Sequence, residues 1–208
     1  MTSHANNNIV ARLGTLSLIG MAAFLCTCIT AQFLRTDLDW VQVPNSFYLI
    51  GPYGWMVRAG YFAMSLALIL FAVGGYLALH HAARSAAPVL LFVVGAVALS
   101  VTAIERTFVD GQPLRLEGYV HGVAAQTAFL CTVTAMLLQA WRLRGDARWK
   151  RWFRPAFLYA MTCFLLLWVQ ALWRDLPRGL SQKLLIVLIA GGLMAAAYRL
   201  RRGPDSAE

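Results

Sequence analysis

His121 is the residue of this chain best placed for proton chemistry. It stands four positions after Glu117 in FVDGQPLRLEGYVHG. On a helix that starts early enough, that spacing puts carboxylate and imidazole on one face. A carboxylate beside an imidazole orients it and raises its pKa, as general acid–base catalysis requires. Asp110 belongs to the same stretch, at an Asp-Gly turn, and Gly118 and Gly122 leave room for a close backbone or a ligand. The plainer alternative is an interfacial His121 paired with an acid. One histidine without a defined partner is not a complete catalytic constellation. His121, Asp110 and Glu117 are therefore candidates only. If this is an enzyme, the reading is a lipid-headgroup hydrolase or transferase with His121 as general base.

Two further stretches carry ligand-binding candidates. In RTDLDW, an extended backbone would turn Asp37 and Asp39 to one side, as a divalent cation needs. Two solvated acids past a helix end are the simpler reading, since hard cations take more oxygens than these supply. No metal is assigned. The region after them reads VQVPNSFYLIGPYGW, where Pro44, Gly51, Pro52 and Gly54 interrupt regular structure. Phe47, Tyr48, Tyr53 and Trp55 suit the headgroup layer, so this segment is expected to lie in or dip into the interface. In WRDLPRGLSQKL, Arg174, Arg178, Gln182 and Lys183 gather at a helix boundary. Lys183 can snorkel to lipid phosphates, form an anion site with Arg178, or pair with Asp110 or Glu117 across the bundle.

These residues are positioned by membrane helices. Hydrophobic residues make up 60% of the 208 and charged residues only 13%. One globular core cannot hide that much apolar surface, so lipid must be its solvent. Six apolar runs are long enough to span a bilayer, at about 10–34, 61–79, 87–104, 119–141, 153–173 and 180–200. Backbone groups in lipid must be satisfied within the segment, and none of the runs alternates like a barrel strand, so each is a helix. The first run is longer than a signal-peptide core and is read as a retained helix. The fold class is thus all-α, one polytopic bundle of six transmembrane helices forming a single domain.

Orientation follows the basic residues. Arg12, Arg84, the cluster from Arg142 to Arg154, and Arg199, Arg201 and Arg202 fall on one side and make up the majority of the 18 Lys and Arg. Both termini are expected to be cytoplasmic, in a bacterial-type inner membrane. The acids Asp37, Asp39, Glu105, Asp110, Glu117 and Asp175 fall on the other side, so chemistry is expected there and the cytoplasmic loops read as basic anchors. A net charge of +9 meets anionic lipid in this setting rather than nucleic acid. Membrane lipids are the expected company, with a membrane-protein partner as the second candidate. Cys26, Cys28, Cys131 and Cys163 all lie in apolar runs and read as buried thiols, not a disulfide framework. His121 alone is placed to face a bundle interior, which leaves haem without paired ligands, and no phosphate-binding, dinucleotide or hydrolase motif is present. No cofactor is assigned.

Three stretches together resemble an uncharacterised six-helix membrane family, domain of unknown function 998. In Phe108 to Gly122, Asp110, His121 and Gly122 match an Asp followed by a His-Gly that opens a helix. In Gly179 to Gly191, Gln182 matches the family's final helix, and Lys183 replaces the usual Arg, keeping the charge but losing the planar fork. SFYLIGPYGW resembles a loop of one subgroup. Glu105-Arg106 departs from the family's more common small-and-Pro pattern. The resemblance implies six helices and an outer-face polar cluster, with no established reaction. The expected role is to bind or move a lipid or small solute, or to support a membrane complex, through Asp110, Glu117, His121, Gln182 and Lys183.

Overall fold

The computed structural model describes residues 2–104, 116–173 and 175–203, and side chains from residue 7 onward. Six long helices run through it: α1 (Thr2–Leu34), α2 (Gly54–Ala78), α3 (Ala86–Ile104), α4 (Leu116–Leu143), α5 (Phe153–Leu172) and α6 (Arg178–Arg202). All six contain stretches long and apolar enough to cross a membrane, and no strand occurs among the described residues. The chain is a multi-pass, all-helical membrane protein.

The helix ends follow from local chemistry. Pro88 and Pro155 sit in the first turns of α3 and α5, where a missing N–H costs no helical bond. Gly203 closes α6 with φ +79°, donating its N–H to the carbonyls of Arg199 and Leu200. α2 starts at Gly54 rather than near 61. Its polar first turns, with Trp55 and Arg58, match the headgroup layer instead of the hydrocarbon, so an apolar count misses them.

The helices form a closed ring in chain order, each packing on its sequence neighbours, with α1 and α6 completing the circuit. Small residues allow the close seams. At Gly60, a Cβ would run into the Thr27 side chain of α1. Gly14 of α1 lies against Ala197 and Arg201 of α6, so both termini share one end, called here the terminal end. Large apolar side chains such as Ile19, Phe33, Leu66, Leu90 and Leu165 face outward, as lipid requires. α5 is the most peripheral helix: only Ala160 and Cys163 of it are buried.

At the terminal end, the connection after α2 is tied to the one after α4 by an acid. Asp146 is 3% exposed. Its carboxylate accepts from the His80 N–H at 2.7 Å, and from the backbone and guanidinium of Arg148 at 2.9–3.2 Å. Arg148 also donates to Ala78 O, and Arg142 to Ala83 O. This corrects the reading of these loops as basic anchors alone. A buried carboxylate needs several donors, and the surplus of basic residues supplies them.

Burial pushes the Asp146 carboxyl upward, but the Arg148 and backbone donors outweigh it and hold it below the ordinary range. A depressed folded pKa gives stability that is present above the unfolded value and lost as pH falls through the folded one. Asp146→Ala should lower unfolding stability in detergent by about 2–3 kcal/mol at neutral pH, through the donors it strands. Thermal melts between about pH 5 and pH 3 should show the parent's stability falling while Asp146→Asn is flatter. Identical pH profiles would rule out this role for the carboxylate.

Candidate functional site

The opposite end carries a polar cluster built on residues 35–53, the connection from α1 to α2. Arg35 follows α1 directly and is 8% exposed. Its guanidinium grips Asp37 through two bonds of 2.7 and 2.8 Å and donates to Ile50 O at 2.5 Å. The Arg35 hydrogen bonds hold Asp37 below the usual carboxylate range. Asp39 accepts the Val41 N–H at 2.8 Å, capping its own turn. The Asp-x-Asp pair thus folds the loop: one acid is an arginine partner and the other a turn former. No group of three or more metal-ligating side chains occurs among the described residues.

The loop then descends into the bundle as a short turn, Asn45–Leu49. Tyr48, expected among headgroups, is fully buried, whereas Tyr53 and Trp55 are exposed. The turn carries Tyr48 inward because Asn45 anchors it. The Asn45 backbone N–H donates to Gln182 Oε1 at 2.8 Å. Its Nδ2 donates to Cys28 Sγ at 3.2 Å and Tyr61 Oη at 3.1 Å, and its Oδ1 accepts from Gln32 at 3.5 Å. The Asn45 side chain therefore links α1 and α2, and its backbone N–H ties the same turn to α6.

The start of α6 completes the cluster by backbone contact. The N–H groups of Gly179 and Leu180, which lack helical acceptors, donate to Gln42 O and Val41 O at 3.1 and 2.8 Å. A Cβ on Gly179 would lie within 2.7 Å of the Val41 and Val43 carbonyl oxygens, so only glycine permits this approach. Lys183 donates to Trp40 O at 2.6 Å and Val43 O at 2.9 Å, and its ammonium lies 5.0 Å from the centre of the Tyr48 ring. Lys183 therefore holds the loop instead of reaching lipid or Glu117. Arg178, at the first position of α6, is exposed.

His121 is 5% exposed in the second turn of α4. α4 does start early enough for Glu117 to precede it by one turn, but Glu117 is exposed and no hydrogen bond joins the two. Asp110 and Arg174 lie outside the described residues. Below the cluster is a cavity of about 80 Å³, with Ser46, Tyr61, Thr102, Thr132 and Gln182 set into apolar walls from α1, α2, α3, α4 and α6. Ala125 and Ala128 line it on α4. His121 shares their helix face one turn further toward the cluster. Gln182 lines the cavity and His121 lies one turn from its lining alanines on α4, while Asp37, Asp39 and Lys183 serve the loop above it.

Nothing in the sequence singles out Asn45 or Tyr61 as site residues, and Arg35 reads there only as one positive charge among the 18. Arg35 had a local signal, because an arginine two residues before an aspartate can fold back on it. Asn45 had none beyond being an amide beside Pro44.

Residues 18–199 match a family model described as Protein of unknown function (DUF998). No curated protein and no solved structure matches the chain.

Asn45→Ala should cost about 2–3 kcal/mol of unfolding stability, since it strands Tyr61 and Gln32 in a buried site. Cys28, whose thiol accepts from Asn45, should become more reactive toward a small membrane-permeant maleimide. A variant as stable and as unreactive as the parent would remove Asn45 from the centre of this cluster.

Proposed function

The chain belongs to the DUF998 family, and from that premise we propose that it binds a small solute inside the bundle, beneath the polar cluster, rather than catalysing a reaction. The observation that carries this reading is the cavity shared by five helices under the docked loop, with Gln182 in its wall and His121 on the same face of α4 as its lining alanines. Pockets with apolar walls and a few convergent polar groups are the usual form of a binding site. The distribution of basic residues supports a cytoplasmic terminal end, which would open this site toward the outside.

Small molecules released from the purified full-length protein, identified by mass spectrometry, test the reading. Ala125→Phe, which fills the cavity, should cut the released ligand by about tenfold while keeping or raising the melting temperature. His121→Ala should weaken retention without unfolding the protein. Equal release from the parent and Ala125→Phe would sink the proposal. Orientation has its own measurement: in intact cells, Asp175→Cys should label with an impermeant thiol reagent and Ala147→Cys should not. The reverse pattern would invert the assignment.

A further inference from the structure

A second and larger cavity, about 390 Å³, lies in the terminal half of the bundle between α4, α5 and α6, with α2 behind it. Its floor and its mouth are made by different residues. Phe71 and Ala78 of α2, Met136 and Ala140 of α4 and Leu193 of α6 line it and are buried. Pro155 and Tyr159 of α5 and Gly191 and Ala195 of α6 also line it, yet they are exposed. Gly191 and Ala195 continue the outward stripe that Leu184, Val187 and Tyr198 form along α6. The cavity therefore opens sideways, between α5 and α6, and its mouth is continuous with the surface that faces lipid. Tyr159 holds the two helices apart there. Its ring lies so close to Gly192 that a Cβ at that position would collide with it, and its hydroxyl donates to Leu188 O at 2.8 Å.

The chemistry of the wall selects the occupant. Its other polar side chains are turned to partners within the protein. Gln139 Nε2 donates to Gly75 O at 3.2 Å and Trp149 Nε1 to Ala78 O at 3.3 Å, and Arg199 is stacked 3.8 Å from the centre of the Trp152 ring. Water needs two to four partners to be held in a cavity, and these walls offer few. Left unfilled, a space of this size forfeits the dispersion contacts of its lining. A hydrocarbon chain needs no hydrogen bond, and hydrocarbon is what the mouth faces. The dimensions agree. From Gly191 to Leu200 the lining covers about 14 Å of helix at roughly 1.5 Å per residue, close to the ~15 Å of hydrocarbon in one leaflet. Over that length, 390 Å³ amounts to about 28 Å² of cross-section, which excludes a partner helix about 10–12 Å across. We propose that this slot binds one acyl chain of a membrane phospholipid, which enters sideways between α5 and α6 and is held by its chain rather than its headgroup. The site is separate from the cavity beneath the polar cluster and does not depend on it.

The test uses the full chain in dioleoyl phosphatidylcholine vesicles that carry a phosphatidylcholine with a photoactivatable diazirine midway along one chain. Labelled residues are mapped by peptide mass spectrometry. The parent should be labelled at the buried floor, on Met136, Ala140 or Leu193, as well as on outward residues such as Leu158 and Leu165. Ala156→Phe, which occupies the slot, should cut the floor labelling by about tenfold and leave Leu158 and Leu165 as an unchanged internal reference. If it does not fold, Ala196→Leu gives the same reading with a smaller side chain. Ala125→Phe, in the other cavity, should leave the whole pattern unchanged. The same diazirine chain on phosphatidylglycerol should label the floor to a similar extent. Labelling confined to outward residues in the parent, undiminished floor labelling in a folded slot-filling variant, or dependence of the floor labelling on the headgroup would each overturn the proposal.

Discussion

A carboxamide buried among helices must find partners for both of its protons and for its oxygen, and Asn45 finds them on two helices while its backbone reaches a third. Its side chain reaches Cys28 and Gln32 of α1 and Tyr61 of α2, while its backbone N–H reaches Gln182 of α6. In an apolar surrounding these bonds have no competing water, so the geometry that satisfies them is strongly preferred. That one constraint sets where the connection from α1 to α2 enters the bundle. It brings Tyr48 against Lys183 and fixes how close α6 stands to the loop. The Arg35–Asp37 contact, buried on the arginine side and open on the aspartate side, also holds the loop's other end, because Arg35 donates to Ile50 O.

Hydrogen bonding closes both ends of the ring by related means. At one end an amide and a lysine bind backbone carbonyls and amides; at the other an aspartate gathers His80 and Arg148. Between these ends the helices meet through small residues on most seams, but α5 is held loosely and leaves the larger of the two cavities beside it. Hydrophobic collapse does not close such a space when the outside is also hydrocarbon. A membrane bundle can therefore keep crevices that water would force shut, and two cavities of different character result. The smaller lies under a polar cluster, and the larger has satisfied polar walls and a mouth on the lipid side.

Much of the architecture was legible because the bilayer imposes it. A run such as 87–104 has no alternative to a helix, and α3 occupies almost those residues. Boundaries were less legible where helices emerge into headgroups, as in the first turns of α2. The reading of all four cysteines as buried fails at Cys26, which is exposed, because a two-residue step turns it about 200° round the helix from buried Cys28. Of the candidate residues, Gln182 carried a readable signal, a polar side chain at a helix start. Lys183 was legible as a charge but not as a partner, because its acceptors are the carbonyls of Trp40 and Val43, over a hundred positions away.

What the sequence determined by itself is the solvent and the element list: 60% hydrophobic residues and six uninterrupted apolar runs require membrane helices, since no other structure satisfies the backbone in lipid. Only the tertiary structure decided which polar residues meet. Arg35 turned to Asp37, Asp39 to its own turn, Asp146 to a distant loop, and Asn45 to three helices at once. Partner choice depends on which helix faces converge, and apolar side chains give nearly the same signal on every face. The buried hydrogen bonds select among the possible arrangements, and they exist only once the ring has closed.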